Sequence, residues 1–363
     1  MPSLFDPIAL SPTLVLPNRI LMAPLTRGRA THAAVPTPIM AEYYAQRAAA
    51  GLIISEATGI SREGLGWPFA PGLWTDAQVE GWKPVTDAVH QAGGRIVAQL
   101  WHMGRVVHPS LGGGQPLSAS ATKAPGQAHT YDGKQDYVEA RGATLDDIAR
   151  ITADYARAAR HAIAAGFDGV QLHGANGYLI DQFLRDSSNL RDDDYGGSIG
   201  NRMRLLREVV AAIIAEVGVD RTAVRFSPTG PVNGVDDSNA EALFSAVAAA
   251  MDELGVPWIE LREAGPHSSF RPTDEPPVSP AMRRHFGGKI VLNSDYDDAS
   301  GQTRLDEGVA DAISFGRTFL ANPDLVERIR AGSPLNPPDP KTFYSAGPDG
   351  YTDYPLLAEQ AVA

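Results

Sequence analysis

Short apolar runs alternate with longer amphipathic stretches along most of the chain, the pattern of strands each followed by a helix. Eight runs read as strands, over residues 19–24, 52–56, 95–100, 169–172, 223–226, 258–261, 289–292 and 312–315. The stretches between them read as helices over 37–50, 76–92, 145–165, 201–217, 240–254, 279–286, 298–308 and 322–331. Within 145–165, Ile148, Ile151, Tyr155, Ala159 and Ala162 recur at helical spacing, which gives that helix one apolar face. At Asn322-Pro323 a proline falls in the first turn, where its missing N–H is not needed. Eight β-then-α units predict the α/β class and a single (β/α)8 TIM barrel, one domain over residues 1–363. A doubly wound open sheet stays the alternative at this level, because a pattern counts strands without closing them.

One stretch breaks the rhythm. Residues 103–143, after the third strand, are rich in Gly, Ser, Pro and Thr and include Gly112-Gly113-Gly114. An insertion on the C-terminal side of a barrel strand reads as a lid over the active face, against the plainer alternative of a loose surface loop.

Composition narrows the function. The chain has 363 residues and a formal net charge of −12, so no basic stripe for nucleic acid is visible. It contains no cysteine, which excludes disulfides, iron–sulfur ligation and thiol catalysis. No H-E-x-x-H or similar spacing points to a metal. The N-terminus lacks a signal-peptide layout, and no apolar run reaches the length of a membrane span. The expectation is a cytoplasmic protein without nucleic-acid or membrane partners, a monomer or small homo-oligomer.

Barrel active sites lie where strands end, and here those ends are polar. They carry Pro24-Leu25-Thr26, Glu56-Ala57-Thr58, Gln99 through His102, His173 through Tyr178, Arg225, Arg262-Glu263, Asn293-Ser294-Asp295 and Gly316-Arg317. A purely structural barrel would also cap its strands with polar groups, so position alone leaves both readings open. The last two strand ends are sharper. Loops after strands seven and eight commonly bind phosphate in this fold. Gly316 permits close backbone approach, Arg317 supplies a charged fork, and a helix starting near Asn322 would aim N–H groups the same way. Asp295 suits an anion site only with its side chain turned away. An arginine paired with a carboxylate is the structural alternative. Neither G-x-G triplet, at 64–66 or 112–114, continues to a dinucleotide fingerprint, and no P-loop or G-x-S-x-G elbow occurs.

These segments resemble a known family. NRILMAPLTR at 18–27, AEYYAQRA at 41–48, QLWHMGR at 99–105, HGANGYLIDQFL at 173–184, YGGS at 195–198, FGR at 315–317, ANPD at 321–324 and GYTDYP at 350–355 are similar to old yellow enzymes. The likeness runs nearly end to end, and leans toward bacterial N-ethylmaleimide and cyclohexenone reductases. It implies tightly bound FMN, transient NADPH or NADH, and reduction of activated C=C bonds in small enone, maleimide or nitro substrates. Carried over, it places Thr26 near flavin O4 and N5, with Pro24, Leu25 and Ala57 against the ring. Gln99 and Arg225 would grip the pyrimidine edge, His173 would also border the cofactor, and Gly316, Arg317 and the Ser294–Asp295 backbone would hold the phosphate. His173 and Asn176 would bind the substrate oxygen, Tyr178 would donate the proton, and Trp67, Trp101 and Tyr351 would shape the pocket. Departures are Asn176, where some relatives carry histidine, Ser294-Asp295 in place of a glycine-rich pair, and Asn233 at a position often longer.

Overall fold

In a computed structural model, residues 1–268 and 271–360 are described; residues 361–363 of the expected single domain lie outside them. The eight expected strands are present as β1 (Ile20–Met22), β2 (Ile53–Ile54), β3 (Ile96–Trp101), β4 (Gly169–His173), β5 (Thr222–Phe226), β6 (Trp258–Arg262), β7 (Lys289–Asn293) and β8 (Ala312–Phe315). Every neighbour pairs in parallel, β8 returns to β1, and β3 pairs β4, so the sheet is a closed (β/α)8 barrel and not an open one. Strands buried on both faces read as continuous apolar runs, which is why the chain pattern marked them.

The helices follow with modest changes at their ends. Leu145–Ala164 buries Ile148, Ile151, Tyr155, Ala159 and Ala162, the spacing the sequence showed. Its start is fixed by a capping box in which Thr144 and Asp147 exchange side-chain and backbone bonds. Thr75 and Asp297 open Asp76–Gln91 and Asp298–Asp306 in the same way. The helix expected over 201–217 is interrupted at Met203, and Leu179–Leu184, not anticipated, follows directly on the β4 loop with all six residues buried.

A hairpin of Ile8–Ser11 and Leu14–Leu16 was also not anticipated. Its Leu10, Leu14 and Leu16 cluster with Leu52, Val97, Ala223, Trp258 and Ala312, residues at or near the N-terminal ends of barrel strands. That end is plugged with apolar side chains, which leaves the C-terminal end for chemistry.

Residues 103–143 are ordered. A parallel bridge joins Leu117–Ser118 to Arg141–Gly142, and Gln127–Thr130 pairs with Gly133–Asp136 as a hairpin. Ala124, Ala128 and Tyr137 are buried with Trp101 and Met103, and Trp67 and Tyr178 pack on the same cluster.

Candidate active site

A cavity of about 450 Å³ opens at the C-terminal end of the barrel. It is lined by Pro24, Leu25, Thr26, Trp67, Trp101, Asn176, Tyr178, Arg225, Ser294, Asp295, Gly316 and Arg317, among others. A smaller recess of about 90 Å³ adds Ala57, Gln99 and His173 while sharing Pro24, Thr26, Trp101, Asn176, Tyr178 and Arg225. All but one of the residues expected at the site thus meet around one continuous hollow. The exception is Tyr351.

Tyr351 is wholly buried and does not line the cavity. Its ring stacks on Tyr43 at 4.0 Å and 3°, the Arg47 guanidinium lies 3.8 Å from the centre of the Tyr43 ring, and that of Arg29 lies 4.4 Å from the centre of the Tyr351 ring. Planar guanidinium and phenol groups gain by such stacking, so this tyrosine fastens the C-terminal segment to the barrel. Arg27 and Arg29 complete the fastening through the carbonyls of Phe343 and Gly350 and of Phe343 and Thr342, respectively. What the segment delivers to the cavity is Phe343 and Tyr344, which pattern reading missed. Tyr344 sits 4.8 Å from Trp67, and His129 of the insertion sits 4.4 Å from the same ring. The adjacent aromatic pair was the only signal available. The Tyr351 hydroxyl is buried without a partner among the described residues, so Tyr351→Phe should keep thermal stability within about 1 kcal/mol of wild type, measured by calorimetry. A large loss would show that the hydroxyl has an important partner.

The β4 loop is locked in place. Gly177 adopts φ 70°, and a Cβ there would meet Val232 O at 2.2 Å, so glycine is required. Its N–H donates to Asp181 Oδ2 at 2.8 Å, and its carbonyl accepts from Gln182 Nε2 at 2.7 Å. Asn176 takes a left-handed φ of 58°, its N–H donating to Ser227 Oγ at 2.7 Å and its carbonyl accepting from Asn233 Nδ2 at 2.9 Å. The departure at Asn233 therefore has a role in supporting this loop.

His173 Nδ1 accepts from the Ala175 N–H at 3.3 Å, which leaves the ring proton on Nε2. Burial, and then the charge of Arg225, push its pKa well below the ordinary histidine value, so the ring is a neutral donor. Tyr178 stands edge-on to Trp101 at 5.0 Å and to His173 at 4.9 Å. Burial chiefly raises its pKa, so the hydroxyl keeps its proton.

At the opposite end of the cavity, Arg317 Nη2 donates to Asp295 Oδ1 at 2.7 Å, and Asp295 Oδ2 accepts from Ser268 Oγ at 2.9 Å. The Asp295 side chain is not turned away, as an anion site had seemed to require. Both groups are partly exposed, where such a pair is weak and open to displacement by a better anion. The helix expected from Asn322 begins only at Leu325, with Asp324 as its N-cap, so Pro323 precedes its first turn; a separate short helix that was not expected, Arg317–Ala321 with Gly316 as its N-cap, stands before it. Burial, and then the neighbouring Arg225, pull the Arg262 pKa down to about 10, with Asp295 opposing the shift and Arg271 and Arg317 adding to it.

An FMN-sized ligand can be tested against these groups. Three residues that line the hollow carry buried atoms with no partner among the described residues: Asn176 Oδ1, Trp101 Nε1 and Arg225 Nε. Buried polar groups are normally satisfied, so orphans gathered around one hollow mark a missing polar ligand. The Gln99 amide and the Arg225 guanidinium, apolar contact at Pro24, Leu25 and Ala57, and the cationic Arg317 fit FMN.

A family model described as NADH:flavin oxidoreductase / NADH oxidase matches residues 3–336. An old yellow enzyme homologue from Zymomonas mobilis has a solved structure 57% identical to this chain, covering 98% of it and 100% of that chain with a TM-score of 0.97. Morphinone reductase, solved with tetrahydroNAD, is 44% identical and covers 98% of each chain, with a TM-score of 0.92. A probable flavin mononucleotide-dependent alkene reductase from Leishmania infantum is 40% identical over 361 residues, 96% of this chain and 98% of its own. The chain belongs to the NADH:flavin oxidoreductase / NADH oxidase family. It is an oxidoreductase of the old yellow enzyme type.

Proposed function

We propose that this protein reduces activated C=C bonds of α,β-unsaturated carbonyl, maleimide or nitro compounds at the expense of NADPH or NADH. The observation that carries it is the convergence of a neutral His173, Asn176 and a protonated Tyr178 over the same hollow as Thr26, Gln99 and Arg225. FMN, when bound, supplies the two-electron chemistry that links a reduced nicotinamide to the alkene. The protein does the rest.

Gln99 and Arg225 hold the pyrimidine edge, and Arg225 offsets negative charge there. Thr26 donates to the polar positions of the central ring. Arg317, Gly316 and the Ser294–Asp295 backbone hold the phosphate, Asp295 giving up its pairing with Arg317. His173 Nε2–H and the Asn176 amide donate to the substrate oxygen, where negative charge grows as the β-carbon is reduced. Tyr178 places its proton on the α-carbon. Trp67, Trp101 and Tyr344 wall the substrate side, and residues 103–143 act as a lid through Tyr137 and His129. The orphan Asn176 Oδ1 also gives a nicotinamide carboxamide an acceptor.

Arg317→Ala removes a charge-assisted phosphate contact and should weaken FMN binding by roughly ten- to a hundredfold, or about 1.5–3 kcal/mol. Quenching of FMN fluorescence by apoprotein measures it, and unchanged affinity would make the arginine structural. The function itself is tested by extracting the cofactor from purified protein and assaying cyclohexenone beside saturated cyclohexanone. FMN without FAD, and turnover of the enone alone, is the expected result. A protein that stays inert after added FMN contradicts it.

A further inference from the structure

Interiors of these barrels are usually filled by layers of branched apolar side chains from alternate strands. Here β4, β6 and β8 contribute Gln171, Glu260 and Ser314, all buried. Glu260 is wholly enclosed and gathers groups from three other strands. Its Oε1 accepts from Ser314 Oγ at 2.6 Å and lies 2.7 Å from Arg225 Nη1. Its Oε2 accepts from Gln171 Nε2 at 2.9 Å. Gln171 Oε1 in turn accepts from Gln99 Nε2 at 2.7 Å. On the other side, Arg225 Nη2 donates to Asn293 Oδ1 at 2.8 Å, and Asn293 Nδ2 donates to the Ser314 carbonyl at 2.8 Å. Gln99 and Arg225 line the hollow, whereas Gln171 and Glu260 do not.

A carboxylate only accepts, and that gives the chain of bonds a direction. Gln171 must turn its NH2 toward Glu260, which leaves its oxygen for Gln99. Gln99 must then turn its NH2 toward Gln171, which leaves its own oxygen as the acceptor it can offer above. The imide N–H on the pyrimidine edge of a flavin needs such an acceptor. The same carboxylate fixes the fork of Arg225 and offsets its charge.

Resting on the FMN reading above, we propose that Glu260 is a positioning residue. It sets which way the Gln99 amide faces and how much of the Arg225 charge the pyrimidine edge experiences. Neither effect requires contact between Glu260 and the cofactor.

Glu260→Gln keeps the shape and removes the charge. With the Arg225 charge less offset, the reduced, anionic flavin gains, and the reduction potential should move upward. Against a reference dye, the reduced-to-oxidised ratio should rise by about tenfold, the order expected for one charge several ångströms away at an effective dielectric of about 20. Gln171→Met keeps the Glu260–Arg225 pair but cuts the link to Gln99. It should leave the potential in place while raising the FMN dissociation constant several-fold. A folded E260Q with unchanged or lowered potential overturns the proposal, whatever it does to stability. If E260Q does not fold, Q171M decides: weaker FMN binding supports the proposal, and unchanged binding overturns it. A wild-type protein that binds no FMN is a different result. It defeats the cofactor reading itself, and this proposal with it.

Discussion

Tyr178→Phe should leave reduction of the bound flavin by NADPH near the wild-type rate while slowing its reoxidation by cyclohexenone by roughly 10²–10⁴-fold. That range is the usual worth of a positioned general acid. The reasoning rests on where the hydroxyl proton is needed. Tyr178 is buried against Trp101 and His173, and its raised pKa keeps it protonated. Only the alkene half-reaction places a proton on carbon. Phenylalanine keeps the ring and its edge-on packing, so the loop should stand as before. Reoxidation by oxygen or a quinone needs no carbon protonation and should be largely spared. A tyrosine that merely packed the loop would instead give equal, mild losses with all three reactants. Stopped-flow traces separate these outcomes, and unimpaired cyclohexenone turnover would remove Tyr178 from the mechanism.

The second large effect concerns the substrate oxygen. Replacing His173 and Asn176 together with alanine should abolish the binding of phenols, whose oxygen these two donors would hold, as followed by perturbation of the oxidised flavin spectrum. It should also cost roughly 10²–10³-fold in enone reduction, the range for losing a donor to developing negative charge. His173 is prepared for this task by the Ala175 N–H on Nδ1, which leaves Nε2 as the donor. Asn176 is prepared by a left-handed backbone held from both sides by Ser227 and Asn233. Phenols that bind the double variant as well as wild type would place the oxygen-binding groups elsewhere.

How much of this was legible in the chain depended on the range of the contacts involved. The eight barrel strands were legible because strands buried on both faces are apolar throughout, and 145–165 because one helix face is. The hairpin Ile8–Ser11 with Leu14–Leu16 was not, since such short strands carry no period and are stabilised by plugging the barrel. The loop from His173 to Tyr178 was legible as a cluster within six residues. Tyr344 and Tyr351 were not distinguishable, because stacking on Tyr43 and facing Trp67 are both long-range facts. Arg317 was legible as a site residue, but its pairing with Asp295 was not, since that depends on side-chain reach across two loops. Glu260 passed unnoticed for the same reason. Its partners Gln171 and Ser314 lie 89 and 54 positions away, and only barrel closure brings them together.

The central claim, that one site passes electrons from a nicotinamide to an activated alkene, is tested most directly by an anaerobic titration of the purified protein loaded with FMN. NADPH or NADH should bleach the flavin absorbance in a stoichiometric step, and cyclohexenone should then restore it with formation of cyclohexanone. Flavin that stays oxidised under both nucleotides, or that bleaches and is not restored by the enone, would contradict the account.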